Sequence, residues 1–368
     1  VRIALVTTHC WPLPGPARIG DYWTVDLAEG LTALGHDVTM YSPEGTQFRN
    51  VRPVGCSFGK YTPTQHEHAT LHTHLNELRA FDIVHDISTN KIVGLALAKH
   101  GRPVCMTLNG GPWVETEPPV NLCVLSNAQR ERVLRGATDY EGSPTPELGG
   151  PPGKPVKDAH VVYLGVDTDF YCPTDYSKDD HVLWLNRWHP TKGYELAIRI
   201  AKETGLKLVM AGEHPDNETS DYQRKCALEA RELARDVPNI DFRWLPGDPD
   251  HHTAKRELYR RAKALIYTTM FQEPFGLSMV EALACGTPVV ATRMGSTPEV
   301  VSERKTGWLV NLDADVGANF INGASFGRSM TPSQYQRCRY EAVTRFFREA
   351  MAGRYLAEYG RIIAGERW

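Results

Sequence analysis

The sequence predicts an α/β fold of two doubly wound halves, and three observations carry that prediction. The chain has 368 residues, against about 150 for an ordinary domain, so two domains are expected. Short apolar runs of strand length alternate with amphipathic segments of helix length. The strand signals lapse once, over Asp167–Lys178, which divides the alternation into two series.

In the first series, Arg2–Thr7 reads as a buried strand and Asp21–Leu34 as a helix with apolar positions at Val25, Leu27, Ala28, Leu31 and Leu34. Gly35 stops that helix, and Val38–Tyr41 is the next strand, giving the β-α-β unit of a parallel sheet. Ile83–His85 is a strand, Ile92–Lys99 a helix, and Val104–Leu108 and Leu122–Leu125 are strands. Ser126 is placed to cap a helix over Asn127–Leu134, and Val161–Leu164 closes the series. Gly142–Pro155 holds nine Gly or Pro in fourteen residues, which excludes regular structure and reads as a surface loop of the first half.

The second series opens with strand Val182–Leu185 and helix Tyr194–Glu203. Strand Lys207–Ala211, helix Asp221–Arg235, strand Asp241–Leu245, helix Thr253–Ala262 and strand Ala264–Tyr267 follow. Phe275–Ala284 is a helix closed by Cys285-Gly286, and Val289–Ala291 a strand. Gln334–Ile363 reads as one long, largely helical tail.

Hydrophobic residues are 41% and charged residues 23%, an ordinary globular balance. The net charge of -3 speaks against a strongly electrostatic nucleic-acid binder. Ile92–Ala98, the longest apolar run, is far short of the ~20 residues that span a bilayer. Peripheral contact with a membrane surface stays open. Val1–Val6 has no h-region and cleavage site after it, so no secretory leader is expected, and a cytoplasmic location is. The eight cysteines are scattered with no C-x-x-C pair, so buried thiols are expected rather than disulfides or zinc.

The chemistry concentrates in two segments. In Phe271–Ala291, FQEPFGLSMVEALACGTPVVA, Glu273 precedes a helix and Glu281 lies two turns inside it. Pro274 suits the helix entrance. The free N–H groups of Phe275, Gly276 and Leu277 would face outward there and suit an anion, phosphate above all. Gly276 would let a ligand approach the backbone. In LNRWHPTKGYELAI, Arg187 and Lys192 sit on a strand-to-helix turn, where two cations suit a diphosphate.

The first segment closely resembles the E-x7-E signature of the family 4 retaining glycosyltransferases, in the form EPFG-x4-E-A-x-A-C-G-x-P-V-V-A. The second is similar to the G-R-x4-K-G element of the same family, with Asn186 in place of its usual Gly. VVYLGVDTDFYCP resembles the family's interdomain segment and CVLSNAQRERVL the strand and helix before it. GSTPEVV with TGWLV, and FFREAMAGRYLAEY near the terminus, complete the resemblance. It covers nearly all of the second half and scattered parts of the first. It implies the GT-B arrangement: two facing Rossmann-like doubly wound domains, with a C-terminal helix crossing back to the first. The domains would be 1–170, binding the acceptor; 171–340, binding the donor; and 341–368, the returning helix.

The implied activity is retaining transfer of a sugar from a nucleotide diphosphate, UDP by default, to a hydroxyl acceptor, without metal or other cofactor. By the resemblance, Arg187 and Lys192 neutralise the leaving diphosphate, Glu281 holds the ribose, and Glu273 holds the donor sugar. Gly20 and Leu245 join the donor-binding set, Leu245 beside the base.

Two departures from the family pattern fall in the first half. The loop WPLPGPARIGDYW keeps Gly20 but has Arg18 and Ile19 near the usual Gly-Gly pair. Asn109 stands where members often carry a His, and an amide cannot act as a base near pH 7. These departures keep a donor-binding protein without turnover as an alternative, and a nucleotide-sugar 2-epimerase on the same fold is the other. HEHATLHTH, with His66, His68, His72 and His74, reads as a polar acceptor-side segment rather than a metal site, and Asp248-Pro249-Asp250 as a turn.

Overall fold

A computed structural model describes residues 1–7, 22–46, 50–56, 62–144, 146–217, 220–246, 250–312 and 316–368. Gly20, the glycine loop around it, Asp248 and Pro249 lie outside the described residues. The chain divides into two compact units: residues 1–139, 150–165 and 347–368, and residues 140–149 and 166–346.

In the first unit, β1 (Arg2–Val6), α1 (Trp23–Ala33), β2 (Asp37–Pro43), β3 (Arg52–Cys56), α2 (Pro63–Leu78), β4 (Ile83–Asp86) and α3 (Ile92–Lys99) follow in order. Then come β5 (Val104–Thr107), β6 (Leu122–Val124), α4 (Asn127–Arg135) and β7 (His160–Val161). All pairings are parallel, in the order β3-β2-β1-β4-β5-β6-β7. Every residue of β4, β5 and β6 is buried, as a sheet covered on both faces demands. Ser126 caps α4 as expected, its Oγ accepting the N–H of Gln129 at 3.1 Å.

The second unit runs β8 (Val182–Leu185), α5 (Tyr194–Thr204), β9 (Leu208–Glu213), α6 (Asp221–Leu233), β10 (Ile240–Leu245), α7 (His251–Arg261) and β11 (Leu265–Tyr267). It continues with α8 (Leu277–Ala284), β12 (Val289–Thr292), α9 (Thr297–Val300), β13 (Gly307–Val310), α10 (Val316–Arg328) and α11 (Pro332–Arg345). The parallel strand order is β10-β9-β8-β11-β12-β13, so the order reverses between β8 and β11. In open α/β sheets that reversal opens a crevice at the carboxyl ends of the two strands.

Three sequence expectations need correction. The Gly/Pro-rich segment, expected as a loop of the first half, joins the second unit as far as residue 149. The tail is not one helix: α11 ends at Arg345, and α12 (Arg348–Ile363) follows. Phe346 leaves helical geometry at φ −131°, its carbonyl accepts the N–H of Val166 at 2.9 Å, and Phe347 is extended. That extended step is where the chain passes from the second unit to the first. The strand expected at Val161–Leu164 shortens to His160–Val161.

α12 belongs to the first unit, where a buried polar network fixes it. His85 Nδ1 lies 2.7 Å from Tyr359 Oη and its Nε2 2.7 Å from Thr107 Oγ1, which in turn meets Tyr355 Oη at 3.0 Å. Arg348 pairs with Glu29 of α1 at 2.9 Å. On the far side of the sheet, Glu67 of α2 accepts the N–H groups of Asn90 (2.8 Å) and Ile92 (2.9 Å). This part of the histidine-rich segment is therefore a buried cap for α3.

The two networks titrate with opposite sign. Burial pushes His85 down to about 3, so it stays neutral in the fold. The stability it contributes is complete above its unfolded value near 6.5 and is lost as pH falls from there towards 3, at about 1.4 kcal/mol per pH unit. Burial and then the charge of Asp86 raise Glu67 to about 7 from 4.5. Its contribution is present below 4.5 and is lost as pH rises through 7, so acidification favours folding at this one site. We expect the melting temperature to fall on acidification below pH 6.5, and to fall more steeply from pH 7 to 5 in Glu67→Gln. Parallel pH profiles of the two proteins would contradict the assignment of Glu67.

Candidate active site

The site forms where the strand order reverses. β8 delivers Asn186 and Arg187 to its carboxyl end, and a turn of 3-10 helix over Pro190–Lys192 leads to Gly193 and α5. Gly193 adopts φ +67°, and a Cβ there would overlap the carbonyl oxygen of Thr268, just past β11. Only glycine allows this approach. Thr268 Oγ1 lies 2.9 Å from the carbonyls of both Lys192 and Gly193, and Met270 N–H donates to Thr191 O at 2.7 Å. The loops after β8 and β11 are thus joined along their backbones.

Their side chains meet as well. Lys192 Nζ lies 2.7 Å from Glu273 Oε2, and Tyr267 Oη donates to the same oxygen at 2.5 Å. The ammonium also stands over the ring of Phe271 at 4.6 Å and that of Tyr267 at 5.7 Å. Lys192 is 13% exposed and Glu273 9%, so the pair is shielded but not closed off. Burial, reinforced by the Glu273 charge, holds the Tyr267 phenol well above its ordinary range, so it remains a donor.

The backbone of Glu273 is held from the other side. Ser296 N–H donates to Glu273 O at 2.9 Å, and Ser296 Oγ to Phe275 O at 2.8 Å. Gly295, at φ +59°, lies so close that a Cβ would overlap the Glu273 backbone. Pro274 and Phe275 then lead to Gly276, and α8 starts at Leu277 with no side-chain cap, the N–H of Met279 turning back to Gly276 O at 3.0 Å.

Arg187 is exposed, and among the described residues it forms no ion pair. Its charge reaches this group of residues, since it opposes the rise at Tyr267 and adds to the burial that holds His189 down to about 4.

Glu281 stands apart from Glu273. It is buried, with Lys255 Nζ 2.9 Å from both carboxylate oxygens and Tyr259 Oη 2.9 Å from Oε2. Lys255 is fully buried. Nearby on α7, His251 lies 3.0 Å from Glu213 at the end of β9. Leu245 is buried and lines a cavity of about 310 Å³ with His181, Arg243, Ala254 and Leu258, and none of the charged site residues lines it.

Lys192, Glu273, Pro274, Phe275, Gly276 and Leu277 therefore lie together at the reversal of strand order, with the Arg187 charge felt at Tyr267, while Glu281 and Leu245 occupy neighbouring ground in the same unit. Asn109 belongs to the first unit, where its Nδ2 donates to Ile87 O at 3.3 Å. Tyr267 and Phe271 are contributors that motif spacing does not single out, and Gly295-Ser296, quoted in GSTPEVV, carries no role at the site in the motif reading. Their signal is weak: a Tyr closing a buried strand, a Phe before the acid, and a Gly-Ser before a short helix. Among the described residues, no group of three or more His, Cys, Asp or Glu is placed to hold a metal ion. Among the same residues, no helix is long and apolar enough to cross a membrane.

Residues 173–317 match the family model described as glycosyl transferases group 1. Among curated relatives, a D-inositol 3-phosphate glycosyltransferase of Mycobacteroides abscessus is 30% identical over 226 residues, covering 56% of this chain and 47% of the relative. A protein of the same name from Mycobacterium tuberculosis is 34% identical over 162 residues, 41% of this chain and 32% of that one. The chain spans about half the length of these relatives or less. Among solved structures, AviGT4, a glycosyltransferase involved in Avilamycin A biosynthesis, aligns with a TM-score of 0.73 at 22% identity, over 100% of this chain and 99% of that one. Sucrose-phosphate synthase from Thermosynechococcus elongatus aligns with a TM-score of 0.77 at 16% identity, over 99% and 100%. These likenesses establish the two-domain, Rossmann-like GT-B fold.

The buried Lys255–Glu281 pair yields a stability test. Lys255→Met leaves a buried carboxylate with Tyr259 alone, which should cost about 3–5 kcal/mol. The double variant Lys255→Met/Glu281→Met should recover most of that loss, as read by thermal and urea unfolding. A double variant no more stable than the single one would show that the pair does not act as a unit.

Proposed function

We propose that this chain transfers a sugar, with retention, from a nucleotide diphosphate to a hydroxyl acceptor, a reading supported by the match of residues 173–317 to the glycosyl transferases group 1 model. The observation that supports this most directly is the convergence of Lys192, Arg187 and the entrance of α8 at the reversal between β8 and β11. Cleavage of a sugar–diphosphate bond builds negative charge on the leaving group. An ammonium, a guanidinium and the uncapped N-terminus of a helix are matched to that charge.

The residues divide the work by access. Arg187, exposed and without a partner among the described residues, is suited to meet the diphosphate first. Lys192 can pass from Glu273 to a phosphate oxygen. Glu273, still held by Tyr267, is then left facing the donor sugar, where its carboxylate suits hydroxyls and developing positive charge at the anomeric carbon. Glu281 has acceptor capacity left beside Lys255 and Tyr259, which suits ribose hydroxyls. With cations supplied by the chain, the reaction should proceed in a chelator and without added metal. UDP-sugars are the first donors to try. The relatives named for D-inositol 3-phosphate make a polyol phosphate the first acceptor to try.

The test is a matrix of UDP-, GDP- and ADP-sugars against polyol phosphates and other hydroxyl acceptors, with product anomers read by NMR. Arg187→Ala and Lys192→Ala should each lower kcat by about a hundredfold, the equivalent of about 3 kcal/mol, while circular dichroism is unchanged. Full turnover in both variants would overturn the diphosphate assignment. Epimerised donor in the absence of acceptor would replace transfer with isomerisation.

A further inference from the structure

The Gly/Pro-rich segment has a place that its composition does not disclose. Residues 140–149 belong to the second unit, although 139 and 150 on either side belong to the first. The excursion is tied to the three residues that precede Glu273. Ser143 Oγ donates to Met270 O. The Tyr140 ring packs on that of Phe271, with centroids 5.9 Å apart and planes 33° apart. Gln272 Nε2 donates to Glu141 O at 2.9 Å while its Oε1 accepts Gly295 N–H at 2.8 Å. A side chain in the excursion, Tyr140, thus touches the ring over which the Lys192 ammonium stands at 4.6 Å.

We propose that Tyr140 is a positioning residue for the donor diphosphate and acts through Phe271 on Lys192. This rests on the diphosphate reading of the preceding section. Lys192 has two competing destinations, Glu273 and an incoming phosphate. The Phe271 face attracts the ammonium while it is paired with Glu273 and fixes the side on which it rests. A ring that is free to rotate offers no such hold. Tyr140 covers Phe271, and the hydrogen bonds of Ser143 and Gln272 hold the backbone on both sides of that ring. The excursion therefore keeps the cation poised before the donor arrives, which lowers the reorganisation needed on binding. The ring of Tyr140 does this, not its hydroxyl.

The experiment is a double-mutant cycle read by calorimetry, with whichever of UDP, GDP and ADP the wild-type chain binds most tightly. Tyr140→Ala should weaken that nucleotide about tenfold in the wild-type background and less than twofold in a Lys192→Met background. Tyr140→Phe should bind like wild type, and Tyr140→Leu, which keeps the volume if the alanine variant does not fold, should fall between. In turnover, Tyr140→Ala should raise the donor KM and leave the acceptor KM unchanged. Equal losses in both backgrounds, or wild-type affinity in Tyr140→Ala, would overturn the proposal while the diphosphate reading stands on Arg187→Ala and Lys192→Met. If those two variants also bind like wild type, or the wild-type chain binds none of the three nucleotides, the diphosphate reading falls and this proposal with it.

Discussion

The second unit is organised around one contact, the 2.7 Å pairing of Lys192 with Glu273. The two residues stand on loops that leave adjacent strands at the reversal of strand order, so the fold brings them near, and local chemistry must do the rest. Gly193 supplies the close approach to Thr268, and Gly295 supplies the approach to the Glu273 backbone. Both glycines serve backbone proximity, and each would be disrupted by a single methyl group. Tyr267, at the end of the buried β11, shares the carboxylate with Lys192 and orients it. A charge pair in a shielded place is costly unless its remaining acceptor sites are filled, and here a phenol held in its neutral form fills one.

The first unit solves a different problem with the same means. Its terminal helix α12 adds no strand, yet it is anchored by imidazole, hydroxyl and phenol groups that are entirely buried. Such a network is stable only if each member is satisfied, and it specifies one seating of the helix against β4 and β5. The break at Phe346-Phe347 is the complement of that seating. One continuous helix would have carried α11 and α12 along a single axis, whereas the extended step lets each pack within its own unit.

Much of this was legible in the sequence, and the reasons are physical. β8, α5 and α3 are bounded by glycine, capping residues or clear changes of period, and their limits agree with expectation to within a residue. β3 was not legible, because RPVGC combines a proline and a glycine that both weaken a strand signal. The cations and acids of the crevice could be read from their motifs, but their supporting partners could not. A Tyr in ALIY looks like any core aromatic, and Lys255 in HHTAKREL looks like a charge on a solvated helix face. The Gly/Pro content of 142–155 excludes regular structure without indicating which unit the segment joins. Composition reports backbone freedom, and only tertiary packing reports the partner.

The two acids of the E-x7-E pattern show how far spacing falls short of chemistry. Seven residues of mixed loop and helix separate them, and they are equivalent as letters. Glu273 is paired with a lysine that remains 13% exposed, and Glu281 with a lysine that is fully buried. An anion entering from solvent can compete for the first lysine, because the ammonium can exchange one partner for another without crossing the core. It cannot compete for the second without unburying Lys255 and leaving a carboxylate behind. The first pair is therefore exchangeable and the second fixed. A ligand hydroxyl at Glu281 would add to an existing pair, whereas a phosphate at Lys192 would replace one. That difference in accessibility locates the responsive charge of this unit at the entrance of α8 rather than about one turn inside it.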